Sequence, residues 1–218
     1  VSAAAAGPRP DGLSLEDIAD LRAYERVRED FRRRVMERKR RRRVAVGPIM
    51  TLVFESVDTV RFQVQEMARV ERIATDEGIQ GELDVYNRLL PKPGELSATL
   101  FIELTSEADL RHWLPRLVGV ERAVAVELGP GPGGSPPEAV WSVPEEEHAR
   151  ALSREEITPA VHYLRFPFSE AQVARFAAGP SALAVRHPEY EAATDLSEAT
   201  RADLAADLRG EGEPLPLG

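Results

Sequence analysis

The chain has 218 residues, 43% of them apolar and 30% charged, with 28 Lys and Arg against 37 Asp and Glu for a formal net charge of −9. That composition fits one globular domain with an ample core. Cysteine is absent, which excludes disulfides, thiolate metal sites, iron–sulfur ligation and a cysteine nucleophile.

No apolar run approaches the ~20 residues that span a bilayer. The opening VSAAAAGPRP lacks the basic and apolar regions of a secretory signal, so the cytoplasm is the expected compartment. Charge is unevenly spread: residues 22–43 hold 12 basic and 4 acidic side chains, and the remainder carries a net −17. A basic arm on an acidic body marks either a docking surface, for an acidic protein or a second copy, or an arm that folds back on its own body. The docking reading falls on Arg38, Lys39, Arg40, Arg41, Arg42 and Arg43.

In chain order, residues 1–12 read as a disordered segment, 13–208 as a single domain and 209–218 as a flexible tail. A first helix is expected from Ser14, capped with Asp17 in a capping-box arrangement, with Leu13 stapled onto Ile18. Its apolar stripe is Ile18, Leu21, Tyr24, Val27 or Arg28, Phe31 and Val35. Residues 44–56 predict a hairpin bent around Gly47-Pro48. A second helix is capped by Asp58, and a third runs from Ile79 to Leu90, where Pro91 stops it. Alternation predicts strands near 95–104, 123–128, 140–143, 161–168 and 182–186, and helices near 106–118, 170–178 and 195–208. Helices do not alternate strictly with strands. The expected class is therefore α+β, a mostly antiparallel sheet with helices mainly on one face.

A series of short blocks carries a family resemblance. They are Arg42-Arg43-Val44, Val46-Gly47-Pro48, Met50-Thr51, Phe54-Glu55, Gln65-Glu66-Met67, Glu82, Tyr86-Asn87, Gly94–Leu100, Tyr163–Pro167 and His187-Pro188. In this order they resemble an uncharacterised bacterial family, a domain of unknown function found in single-domain cytoplasmic proteins. The likeness spans nearly the whole chain after residue 13, with Ser56 standing where Asn is expected. It implies a shared fold and no known activity. Relatives often encoded beside rubrerythrin-like proteins and iron–sulfur oxidoreductases imply a redox or oxidative-stress setting.

Among residues with chemical potential, Glu71 stands out. At about 100° per residue it falls in the middle of the stripe of Val60, Val64, Met67 and Ala74. A carboxylate buried there must be paired, protonated or bound to a cation. Gln63 and Glu66 border the same stripe, and Glu82 and Tyr86 share a face of the third helix, so Glu66, Glu71 and Glu82 could meet at one site. That site reads either as a divalent-cation or acid/base centre, or as an ion pair with an arginine such as Arg32 or Arg43. No cofactor is expected beyond that cation.

His162 shares a strand face with Leu164, Phe166 and Phe168 and reads as a core histidine, and His187 as a loop residue. One Glu-x-x-His, Glu145 and His148, falls short of the two that a di-iron bundle requires. GPGPGGS lacks the P-loop pattern, and neither a G-x-S-x-G nor an H-E-x-x-H motif occurs. RKRRRR has no interleaved aromatics, and the net charge opposes nucleic acid. The expected function is thus a non-enzymatic accessory or interaction protein of a redox pathway, docking through the Arg-rich helix. The alternative is a small metal-dependent or acid/base enzyme built on Glu66, Glu71 and Glu82. No small molecule is indicated.

Overall fold

The computed structural model describes residues 12–131, 135–145, 157–212 and 214–217. Its first segment is held by two amide side chains. Asn87 accepts the Leu13 N–H and donates to the Leu13 carbonyl, both at 2.9 Å, and Gln65 treats Ala19 the same way at 2.9 and 3.1 Å. An amide that takes both main-chain groups of one residue satisfies them without secondary structure and withholds them from a helix. The expected helix from Ser14 is corrected accordingly. Ser14 and Asp17 do pair, but they close only a 3-10 turn at Leu15–Asp17. Helix α1 (Leu21–Arg42) starts afresh at Asp20, whose carboxylate accepts the N–H groups of Arg22 and Ala23.

The hairpin β1 (Arg43–Val46) and β2 (Met50–Phe54) follows, with Gly47 at φ +69°. A side chain at Gly47 would strike the Tyr190 hydroxyl, which donates to the Val46 carbonyl at 2.7 Å. Ser56, rather than Asp58, caps α2 (Val57–Glu71); serine and asparagine are both good caps, so the departure at this position changes little. Then come α3 (Asp76–Tyr86), β3 (Glu95–Ile102), α4 (Glu107–Trp113), β4 (Val124–Leu128), β5 (Glu138–Trp141) and β6 (Val143–Pro144). The order closes with β7 (Val161–Pro167), α5 (Glu170–Ala178), β8 (Ser181–His187), β9 (Tyr190–Asp195) and α6 (Glu198–Leu208). No helix among the described residues is long and apolar enough to cross a membrane.

The class is α+β and the pairing antiparallel, but the strands form two sheets, ordered β1-β2-β3-β7-β6 and β5-β4-β8-β9. The inner faces meet in one core. Val46, Leu52, Leu100, Leu164 and Phe166 from the first sheet pack with Val124, Val126, Leu183 and Val185 from the second, and α5 and α6 add Phe176, Leu204 and Leu208. His162 lies on this inner side, buried, its Nε2 3.0 Å from the Thr158 hydroxyl, as a core histidine should be. Helices α1, α2 and α3 stand on the other side of the five-stranded sheet, joined through Tyr24, Phe31, Val35 and Phe62 and through Val60, Val64, Leu83 and Leu89.

The end of the chain also differs from expectation. Leu215 and Leu217 pack against the cluster of α1 and α2. The Leu215 N–H donates to the fully buried Asp58 at 2.9 Å, and Arg61 donates to the Leu215 carbonyl. One buried ion pair thus satisfies both main-chain groups of a residue that brings apolar surface, and so these residues are docked instead of free.

Arg42 closes α1. It is 1% exposed, donates to Asp207 at 2.6 Å and to the Glu55 carbonyl at 3.1 Å, and its Nε lies 3.1 Å from Asp203. Burial alone would depress its pKa, and Asp207 and Asp203 outweigh that and hold it raised. Replacing Arg42 by Met should cost about 3–5 kcal/mol in urea unfolding, because two carboxylates lose their counter-charge. Asp203→Asn combined with Asp207→Asn in the Met background should recover part of the loss.

Candidate functional site

The outer face of the five-stranded sheet is unusual in what it carries. One cross-strand row reads Arg43, Val53, Thr99 and Tyr163, and the neighbouring row Ala45, Thr51, Phe101 and Val161. Glu55 extends β2 by one residue, donating its N–H to the Ser97 carbonyl at 2.8 Å. Above these strands lie Met36, Lys39 and Arg40 from the end of α1, Thr59, Val60 and Gln63 from α2, and Tyr86 and Leu89 at and just beyond the end of α3. Sheet and helices enclose a cleft of about 560 Å³.

Glu55 is the polar centre of this cleft. Thr99 donates its hydroxyl to one carboxylate oxygen at 2.6 Å, and Thr59 donates to the other. The Thr59 oxygen in turn accepts the Ser56 N–H at 2.8 Å, and its proton lies within reach of Glu55 and, at 3.1 Å, of the Ser56 carbonyl, the nearer and charged acceptor being Glu55. Both hydroxyls are therefore committed as donors, and Glu55 as an acceptor with lone pairs to spare. Burial pushes the Tyr163 phenol above its ordinary pKa, and Tyr86 and Glu55 add to the rise. Tyr163 stays protonated at neutral pH, a donor beside an acceptor. Phe101, Val161 and Met36 supply half-buried apolar surface. At the mouth, Arg43 pairs with Glu103 and Arg40 with Glu37, and the Lys39 ammonium sits 5.8 Å from the Phe62 ring centre.

Of the residues singled out in the sequence, Gln63, Tyr86, Lys39, Arg40 and Arg43 line this one cleft. The carboxylates do not converge. Glu71 is exposed: α2 ends there, with Arg72 in a left-handed turn at φ 57°, so the residues that would continue the stripe leave the helix. The stripe is buried at Val60 and Val64, half-buried at Met67 and exposed at Glu71 and Ala74. Glu82 is half-buried and its pKa is raised by burial and then by the charge of Glu71, so these two face each other as like charges. Glu66 turns instead to α1, where Arg28 grips it with two bonds at 2.8 and 2.7 Å and the Tyr24 hydroxyl adds a third at 2.7 Å. Among the described residues no three His, Asp or Glu side chains group as metal ligands would. The Glu-x-x-His expectation reaches His148, outside the described residues.

The basic arm largely folds back. Arg38 pairs with buried Asp58, Arg42 with Asp203 and Asp207, and Arg28 with Glu66, so these cations form internal ties. Arg41 is exposed. The residues that the sequence did not mark as site residues are Glu55, Thr99, Phe101 and Tyr163, although all but Phe101 fall in the blocks of the family resemblance. Their signal was present: Thr51, Glu55, Ser97 and Thr99 write a polar second face onto strands whose first face is apolar.

The Glu66 cluster gives a pH test. Its hydrogen bond from Arg28 lowers the Glu66 pKa below the ordinary 4.5, outweighing burial, with Tyr24 adding to the effect. A carboxylate depressed in the folded state stabilises above its unfolded pKa and loses that contribution as pH falls through the folded value. The stability gap between the native chain and Glu66→Gln should therefore be full at pH 7 and shrink steadily once urea titrations are made below about pH 4.5.

The comparisons agree with this architecture. A crystal structure of a novel protein of unknown function from Burkholderia pseudomallei K96243 superposes with a TM-score of 0.80 at 36% identity, over 90% of this chain and 99% of that one. Among curated proteins no match is found. A family model described as "Protein of unknown function (DUF3501)" matches residues 12–208, so the chain belongs to that family.

Proposed function

We propose that the protein acts by binding a small organic molecule in the cleft between the five-stranded sheet and helices α1–α3, with Glu55 as its polar anchor. One observation carries this reading: a carboxylate oriented by two threonine hydroxyls opens into a 560 Å³ space beside a protonated tyrosine and half-buried apolar side chains. Ligand sites combine that size with mostly apolar walls and a few placed polar groups. The redox setting implied by the family resemblance enters here as part of the proposal. A chain without cysteine has no thiol couple to offer, so the fitting role in such a pathway is accessory, holding a molecule that other proteins oxidise or reduce.

Docking of an acidic partner through the arm loses support, because Arg38 and Arg42 are spent on Asp58, Asp203 and Asp207 within the fold. The carboxylate enzyme on α2 and α3 loses support because Glu66 turns away from Glu71 and Glu82.

Filling the cleft tests the proposal. Val161→Trp projects an indole into it from a half-exposed strand position, so the fold should survive with an unchanged urea midpoint. Ligand-observed NMR with a fragment library should find binders to the native chain whose occupancy drops about tenfold or more in the variant, as expected when an anchoring contact is lost. Binders indifferent to both Val161→Trp and Phe101→Ala, or no binders at all, would overturn it.

A further inference from the structure

We infer that the ligand of the cleft is an organic anion with a flat, largely apolar body and a hydrogen-bond donor at the end remote from its acid, a hydroxyaryl carboxylate being the simplest form. This rests on the preceding reading of the cleft as a ligand site and adds the chemistry of what enters it.

Three features fix that chemistry. The first is polarity. Lys39, Arg40 and Arg43 place three cations around a cleft whose lining contains one carboxylate, Glu55. Arg40 and Arg43 are exposed and mark the mouth, Glu55 is half-buried and lies further in, and Lys39 is half-buried in the cleft lining. Arg40–Glu37 and Arg43–Glu103 are exposed pairs, and such pairs are worth little, so a ligand acid can take either guanidinium as a bidentate partner.

The second feature is the inner end. Each Glu55 oxygen already accepts one threonine hydroxyl, and a carboxylate oxygen takes more than one donor. A second anion there would be repelled by Glu55, and a hydroxyl or N–H would be welcomed. The ligand therefore enters acid outward and donor inward.

The third is shape. Val53, Phe101, Val161 and Tyr163 lie side by side on adjacent strands of one sheet face, and Met36, Val60 and Leu89 stand opposite on helices. Walls set by a sheet face and a helix layer favour a planar body over a branched one.

Calorimetric titration of the full chain with 4-hydroxyphenylacetate, phenylacetate and 4-methylphenol separates these features. The first should bind tightest, and loss of either the hydroxyl or the acid should weaken binding about tenfold or more, the usual scale for a hydrogen bond to a charged group. Glu55→Gln should bring 4-hydroxyphenylacetate and phenylacetate to similar affinity. Lys39→Gln with Arg40→Gln should do so for 4-hydroxyphenylacetate and 4-methylphenol, and should flatten the salt dependence. Equal binding of all three probes to the native chain overturns the inference. So does a fragment screen whose Val161-dependent hits are all cations, and in that case the ligand-site reading stands alone. No Val161-dependent binding by any compound overturns both.

Discussion

A single buried guanidinium sets the geometry on which the cleft depends. Arg42 is the last residue of α1, and its charge is withdrawn from water between Asp203 and Asp207 of α6 and the carbonyl of Glu55. A buried cation is costly unless carboxylates stand against it, so the positions open to α1, α6 and the end of β2 are few. Glu55 is fixed in consequence at each polar group: its carbonyl by Arg42, its N–H by Ser97 and its carboxylate by Thr59 and Thr99. An anchor held this way is in place before any ligand arrives, and preorganisation of that kind lowers what binding must spend on ordering.

The same economy recurs wherever the chain is irregular. Asn87 clamps Leu13, Gln65 clamps Ala19, and Asp58 with Arg61 clamps Leu215. In each case a buried or half-buried polar side chain takes both main-chain groups of one residue, and an adjacent apolar side chain is carried into the core. This separates two kinds of residue within the blocks that announce the family. Gln65, Asn87 and Arg42 build the fold; Glu55, Thr99, Tyr86 and Tyr163 face the cleft.

What was legible in the sequence follows from how far each element's surroundings are uniform along its length. Strands β3 and β7 could be read from periodicity because one face meets the core from end to end. Strand β9, Tyr190–Asp195, could not: it is an outer strand with only Tyr190 fully covered, so it lacks the apolar alternation that marks a strand. Glu71 misled for the opposite reason. A helical wheel treats every turn of α2 as equally deep, whereas its first turns are buried on nearly all sides and its last is in solvent. The division into two sheets rests on pairings between distant segments, such as β4 with β8, that no local pattern encodes.

The choice between Glu71 and Glu55 as the residue to follow also turns on which conflict the fold leaves standing. A carboxylate on an apolar helix stripe is a conflict only if that stripe is covered, and at Glu71 it is not. A sheet face roofed by three helices should be apolar, since both partners bury it. Here the roofed face of the five-stranded sheet carries Thr51, Glu55, Ser97 and Thr99, with Arg43 and Arg165 at its margins. Arg165 is neutralised by Glu95 and Thr51 is bonded to Glu103, yet around Glu55 the helices stand off and leave a space in place of packed side chains. Sequences that depart from the local rule for packing while agreeing with it elsewhere do so where function asks for it. The departure is confined to one patch, its polar groups are oriented, and the volume beside them is of ligand size; a core merely tolerant of polar residues would have closed over them.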